Sequence, residues 1–345
     1  MKKIALGITT FAEVMPNPKT KEIVSYDERI TQVVDEIVLA DQVGLDYFGI
    51  GEHHRKDYAV SAPHMVLAAA APLTKHIQLG SAVTVLSSED PVRVYQNFAT
   101  LNALSKGRAE IMAGRGSFIE SFPLFGQDLN DYDELFIEKL ELLINIRDNE
   151  IVTHQGTHRP SINQLGVYPR TNYPLPIHVA VGGTPQSVIR AGRLGLPLFL
   201  AIIGGDPLRF KTFVDLYKKH YLLNGHDEKE MYVSVHSHGY IDLDHDEAIS
   251  FYYPSIQAAM NQIGQERGWS KYTKETYDQA RSMSGALYVG DPEYVAKKII
   301  HVVKHLAIDR FTLHVPVGYM PHDKVMNTIR LFGEKVKPLV EAGLK

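Results

Sequence analysis

The feature that most limits what this chain can fold into is a repeated alternation. A short apolar run is followed by a turn, and then by a longer segment with apolar residues every third or fourth position. Strands are predicted at 4–8, 46–51, 77–86, 108–114, 176–183, 197–203, 231–241 and 310–316. Helices are predicted at 27–43, 63–74, 90–105, 131–148, 184–195, 206–223, 291–307 and 322–342. In the first helix Ile30, Val33, Val34, Ile37 and Val38 recur at helical spacing, and Gly44 supplies a stop. Pro63 and Pro91 fall in first turns, where a missing N–H costs little, and Asp90 is placed to cap. Apolar strands alternating with helices imply a parallel sheet, and eight such units favour closure into a (β/α)8 TIM barrel over an open sheet.

A minimal barrel needs ~250 residues, so 345 residues suit one barrel domain over 1–345 with enlarged loops. The surplus falls at about 150–175, which is rich in turn residues, and at about 244–290, a helical excursion. Both are read as insertions too small to bury an independent core. With 44% hydrophobic and 22% charged residues the chain can bury a core without staples. The net charge of -4 is not gathered into any block, which leaves no electrostatic footprint for nucleic acid or a membrane surface. The absence of cysteine (0 residues) excludes disulfides, thiolate catalysis and cysteine-held metals. No run approaches the ~20 apolar residues of a membrane span, and MKKIALGITTF reads as a first strand rather than a signal peptide. The cytoplasm is then the simplest compartment.

Barrels of this kind carry their chemistry at the C-terminal ends of the strands. There the second strand ends in GEHHR (51–55), the fourth in GRGS (114–117) and the fifth in GGT (182–184). The seventh carries His236 and His238, and the eighth His314. Gly182, Gly183 and Thr184 remove bulk from a helix start, so backbone N–H groups and the helix dipole are offered to a phosphate, with Thr184 as cap and hydroxyl donor. Arg115 offers a guanidinium fork to the same anion, while Gly114 and Gly116 let the backbone come close. Glu52, His53 and His54 set titratable groups beside whatever binds in the mouth. Each feature has a plainer reading: a capped tight turn, a surface ion pair, a satisfied core histidine. His236 and His238 share one face of their strand and would reach a metal only if that face turned inward.

In order and spacing these motifs resemble the luciferase-like monooxygenases, flavin-using (β/α)8 proteins. The resemblance rests on GEHH at 51–54, LGSAVTVL at 79–86 with DPVR at 90–93, LSKGRAEIMAGRGS at 104–117 with LFG at 124–126, and IHVAVGGTPQSVIRAGRLGLPLF at 177–199. It implies FMN with its ring in the barrel mouth. Ala82, Val83 and Thr84 would lie behind the ring, and Arg115, Gly116, Gly182, Gly183, Thr184 and Ser187 around the phosphate. His53 aligns with the family's active-site histidine and is read as a proton carrier, since imidazole titrates near neutral pH. Glu52 is read as orienting it or hydrogen-bonding near the flavin. The resemblance also implies a cis peptide bond at Ala82–Val83. It implies a homodimer through helices 63–74 and 90–105, whose small residues at Ala68 to Ala71 spread beyond one stripe.

The function so implied is an FMN-dependent monooxygenase acting on a small organic substrate with oxygen and a flavin reduced by NAD(P)H or a partner flavin reductase. Within the same superfamily a flavin reductase or a deazaflavin-dependent oxidoreductase stands beside it. A non-catalytic flavin-binding protein and a metal-dependent TIM-barrel hydrolase complete the alternatives. The hydrolase would need a histidine pair near the first strand, and IALGITTF has none, so no metal ligand is assigned.

Overall fold

The computed structural model describes residues 3–345. Its barrel strands are β1 (Ala5–Thr10), β2 (Tyr47–Ile50), β3 (Gln78–Ser81), β4 (Ala109–Gly114), β5 (Ile177–Val181), β6 (Leu198–Ala201), β7 (Val233–Ile241) and β8 (Arg310–His314). All pair in parallel with their neighbours in chain order, and β8 returns to β1 with Ala5 opposite Arg310. The ring is closed, which removes the unpaired edges an open sheet would leave. Every predicted strand is present, and the fold is the expected (β/α)8 barrel. Helix starts follow local chemistry. The side chains of Ser25, Asp90 and Asp291 accept the N–H of Glu28, Val92 and Tyr294, and Pro63 and Pro91 stand in first turns. No helix among the described residues is long and apolar enough to cross a membrane.

The structure departs from the sequence reading in definable places. The strand expected over 77–86 stops at Ser81, the Ala82–Val83 peptide is cis, and Thr84–Val85 resumes as a two-residue strand against Ala113 and Gly114. The helix expected over 322–342 holds a π-turn at Phe332–Val336 between His322–Leu331 and Lys337–Gly343. Pro338 accounts for it: a proline has no N–H for the carbonyl four residues back, so the ladder widens by one residue there. Residues 151–166 form an antiparallel hairpin, Ile151–His154 with Ile162–Gly166. The excursion folds as helices His245–Arg267 and Lys274–Arg281, then a strand, Tyr288–Gly290, that extends the sheet beside Gly239–Ile241. Three residues are too few to show a period, which is why that strand was not legible. The excursion's apolar side chains gather on Tyr240, Tyr252, Ile256 and Tyr277, a cluster that leans on β7.

The interior is apolar along the walls but polar at the N-terminal end. Arg310 opens β8 and Glu110 lies at the start of β4, four places away in a ring of eight, so the two meet across the barrel. The guanidinium grips the carboxylate with two hydrogen bonds, of 3.0 and 2.9 Å. It also stacks 4.0 Å from the ring centre of Tyr47. Burial alone would push the Glu110 carboxyl up, but the charge of Arg310, the neighbouring His178 and the Arg310 hydrogen bonds together hold the group below its usual value. Gly49 and Gly80 make the room: a Cβ on either would sit 2.6 Å from the Tyr47 hydroxyl oxygen. Glu110→Gln leaves the guanidinium buried without its counter-charge. Chemical denaturation should show a loss of about 3–5 kcal/mol, and a loss under about 1 kcal/mol would show that the pair does not hold this end of the barrel.

Candidate active site

A cavity of about 370 Å³ opens at the C-terminal end of the barrel. That is within the usual size of a ligand pocket. The loop after β2 contributes Glu52, His53 and His54; β3 and its continuation contribute Ala82, Val83 and Val85. The end of β4 supplies Gly114, Arg115 and Gly116, β5 ends there with Ala180, Val181 and Gly182, and β7 presents His236 and His238. The structure therefore gathers Glu52, His53, Ala82, Val83, Arg115, Gly116 and Gly182 around one space. Thr84, Gly183, Thr184 and Ser187 do not line it. Thr84 is buried and its hydroxyl has no partner, while Gly183, Thr184 and Ser187 follow Gly182 in the turn and first turn of helix Pro185–Arg193. Phe11, Phe118, Tyr132 and Phe199 also line the cavity and were not singled out from the sequence. Isolated aromatic residues carry no pattern that separates a pocket wall from a core.

Glu52 does not orient His53. Its carboxylate pairs with His54 Nε2 at 2.9 Å and accepts the N–H of Val85 at 2.9 Å. In addition the Glu52 N–H donates to the Val83 carbonyl at 3.1 Å. Glu52 thus ties the loop after β2 to the strand segment that follows the cis bond. His53 is held by packing instead. Its ring lies 4.4 Å from those of Phe11 and Tyr58, and 5.3 Å from Phe118. Its Nε2 is buried and has no hydrogen-bond partner. Burial, with the positive potential of His314, His54 and Arg55, lowers its pKa to about 3. The expectation that His53 titrates near neutral pH is corrected: it is a neutral imidazole there, because an apolar cage leaves an imidazolium nothing to pair with.

At the other end of the cavity Gly182 is exposed, and a Cβ on it would meet nothing within 4 Å. Gly183 has φ +116°, a conformation that glycine alone adopts readily. Thr184 occupies the N-cap position of helix Pro185–Arg193, but its side chain accepts no backbone N–H. It donates instead to the Ser187 hydroxyl at 2.8 Å, so the capping role expected of it is not made. The first-turn N–H groups are left for another acceptor. Arg115 is paired with Asp133 and lies 5.3 Å from the Tyr132 ring centre. Arg190, which sequence reasoning passed over, has a buried Nη1 without a partner, and burial and the nearby Arg115 lower its pKa. Its signal was its place near the end of the helix that follows the glycine turn.

The mouth is held by a charged latch. Arg55 bonds Glu120 and Glu266 at 2.6 Å each and Asp57 at 3.3 Å. Arg267, at the end of the long excursion helix, donates to the Ser117 carbonyl at 2.9 Å. The excursion is thereby fastened to the loop after β4. His236 and His238 face inward, as their alternation allowed, and both line the cavity. Among the described residues no group of three or more His, Asp or Glu side chains is arranged to hold a metal ion.

The profile of the luciferase-like monooxygenase family matches residues 4–310. The fold is similar to that of the monooxygenase RslO1 from Streptomyces bottropensis, with a TM-score of 0.82, 22% identity, and coverage of 97% of this chain and 99% of that one. It is also similar to the oxygenating constituent of 3,6-diketocamphane monooxygenase from Pseudomonas putida, solved in complex with FMN, with a TM-score of 0.77, 18% identity, and coverage of 98% and 99%. In sequence, the F420-dependent glucose-6-phosphate dehydrogenase of Intrasporangium calvum is 32% identical over 175 residues, 48% of this chain and 52% of that protein. That match therefore spans about half of each chain.

The buried histidines of the barrel interior give the fold an acid sensitivity. His53 and His238 have folded pKa values of about 3 and His178 about 4, all below the ordinary 6.5, chiefly through burial. As pH falls the unfolded chain takes up protons first. The stability these rings contribute is complete above pH 6.5 and is lost progressively as pH falls towards about 3. Each ring steepens the loss by at most about 1.4 kcal/mol per pH unit. His238→Gln should therefore show a smaller drop in Tm than the parent between about pH 7 and about pH 5. An equal drop would remove His238 from the linkage.

Proposed function

The chain belongs to the luciferase-like monooxygenase family, and on that premise we propose that it is an FMN-dependent oxidoreductase that oxygenates a small organic substrate in the mouth of the barrel. One observation carries this reading: a single cavity joins an anion-ready end, Gly182 and Arg115, to an end walled by Ala82, Val83 and His53. The residues fit a phosphate-bearing flavin. The space over Gly182 is open, helix Pro185–Arg193 lacks a side-chain cap, and Arg115 with Arg190 supplies positive charge beside it. At the far end the orphaned Nε2 of His53 awaits a partner. Gly183, Thr184 and Ser187 would complete the phosphate cradle from the turn and helix start that follow Gly182.

When bound, a reduced flavin supplies two electrons for the reaction with oxygen, and NAD(P)H or a partner flavin reductase would provide them. The protein's own residues position and shield. Ala82, Val83, Gly114 and Ala180 present a small, largely apolar wall that leaves a flat ring nothing polar to compete with. His53, neutral at working pH, would give or take a hydrogen bond at Nε2 without changing charge. Phe11, Phe118 and Phe199 keep water from the reacting end. The Intrasporangium calvum relative is F420-dependent, so a deazaflavin is the second reading.

Absorbance titration of the purified protein with FMN tests the cofactor. Arg115→Ala removes a charge-assisted bond worth ~1.5–3 kcal/mol, so affinity should fall on the order of tenfold or more. Asp133→Asn removes the competitor for that guanidinium, and affinity should rise. Binding of F420 but not FMN would transfer the proposal to the second reading, and binding of neither would end both.

We also propose a homodimer through helices Pro63–Ala70 and Pro91–Leu104, on which Met65 and Leu104 are exposed, with Leu73 exposed in the short turn after the first. Of the small residues expected at that face, Ala70 and Ala71 are buried within the subunit. Ala69 is exposed and Ala68 half-buried, so together with Met65 they remain for a partner on that helix. Light scattering at micromolar concentration should give twice the mass of one chain, and a single-chain mass would overturn the dimer.

A further inference from the structure

Beneath the cavity a line of polar side chains crosses from β1 to β7 and β8. Glu13 and His314 are both buried, and the Glu13 carboxylate meets His314 Nε2 at 3.0 Å. His314 Nδ1 lies 3.2 Å from the Thr9 hydroxyl, and the same hydroxyl lies 3.0 Å from His236 Nδ1. His236 lines the cavity, and no protein partner among the described residues takes its Nε2. Hydrogen-bond polarity then runs one way. With Glu13 ionised, the nitrogen facing it must carry a proton, so a neutral His314 is the Nε2–H form and its Nδ1 is an acceptor. The Thr9 hydroxyl donates to that nitrogen. Its oxygen is left to accept, so His236 must donate from Nδ1, and the Nε2 of His236 is a bare lone pair turned to the cavity.

We propose that His236 is a catalytic base, and that Thr9, His314 and Glu13 are positioning residues that fix its tautomer and carry away the proton it accepts. The proposal rests on the oxidoreductase reading of the cavity. A substrate O–H or N–H bond breaks as a bond from hydrogen to His236 Nε2 forms. The Nδ1 proton passes to the Thr9 oxygen and the Thr9 proton to His314 Nδ1. His314 becomes an imidazolium against the Glu13 carboxylate, His236 and Thr9 end neutral, the substrate is left as its conjugate oxyanion or amide anion, and no electron is transferred. The geometry favours this end point. His236 sits among rings with no counter-charge, and burial together with His314 and His238 keeps it from holding a proton itself. Of the two rings bonded to Thr9, His314 has a carboxylate at its far nitrogen and His236 does not. Tyr58 and Tyr252 also lie near Glu13, and His53 and His238 near His314, and burial pushes the phenols up and these imidazoles down. None of the four is thereby charged at neutral pH, so none competes for the relayed charge.

Nuclear magnetic resonance of protein labelled at the histidine ring nitrogens reads the tautomers directly, with His236→Gln and His314→Gln as assignments. The expected result is His236 protonated at Nδ1 alone and His314 at Nε2. Thr9→Val keeps the shape but removes the hydroxyl, and the His236 signals should move to the Nε2–H pattern. Thr9→Ser, which restores the hydroxyl, should return them. An Nε2–H form of His236 in the parent protein, or the same spectrum in Thr9→Val, would overturn the relay. If Thr9→Val fails to fold, the parent tautomer and its retention in Thr9→Ser still decide. No cofactor is needed, so the FMN titration can fail while the tautomers stand, and the reverse.

Discussion

Arg310 and Glu110 meet across the barrel from strands four places apart, and much of the structure follows from that one buried contact. A ring of eight strands has to be filled, and at its N-terminal end it is filled by charge. The guanidinium is flanked by Tyr47 and Tyr232, and His178 lies at 3.5 Å. Such a group tolerates burial only with its counter-charge and hydrogen bonds in place. It therefore fixes the register of β8 against β4 as well as closing the floor. With that end plugged, open volume in the barrel is left at the C-terminal ends of the strands, where the loops can be varied.

The second property of the interior is what it does to histidine. His53, His178, His236 and His238 all lose basicity because they are buried and the nearest charges are of the wrong sign or already engaged. A neutral imidazole is a directional hydrogen-bonding group, with one nitrogen giving and one taking. What each ring can do then depends on which nitrogen has a partner. His53 has no partner at Nε2, whereas His236 is held at Nδ1 by Thr9. Two histidines of like chemistry are thus held differently by their neighbours.

The mouth is organised differently from the floor. Its charged groups are linked across loops that are far apart in sequence, with Arg55 bridging Asp57, Glu120 and Glu266. Phe118 lies 4.5 Å from the Arg55 guanidinium and 5.1 Å from that of Arg267. The excursion over 244–290 so becomes part of the site without supplying a residue to the cavity wall. At the anion-ready end the balance is finer. Asp133 holds Arg115 in place, but it also competes for the charge that a phosphate would use.

The sequence by itself determined the eight-unit barrel, because apolar strands and amphipathic helices differ in period and each is written locally. It also marked which loops line the cavity, since the ends of strands two, four, five and seven can be counted from the same pattern. Runs such as GEHH and GGT were therefore legible as candidates before any contact was known. The partner of each group was left to the tertiary structure. Glu52 stands next to His53 in the chain but bonds His54 and Val85, because adjacent residues at a strand end point to different sides. Arg190 and Arg115 are 75 positions apart in sequence, yet the barrel brings their charges close enough to interact. The line from Glu13 through His314 and Thr9 to His236 joins both ends of the chain, and no periodicity encodes it. Hydrogen-bond polarity and ionisation depend on the distance and burial of partners, and those quantities exist only once the ring has closed.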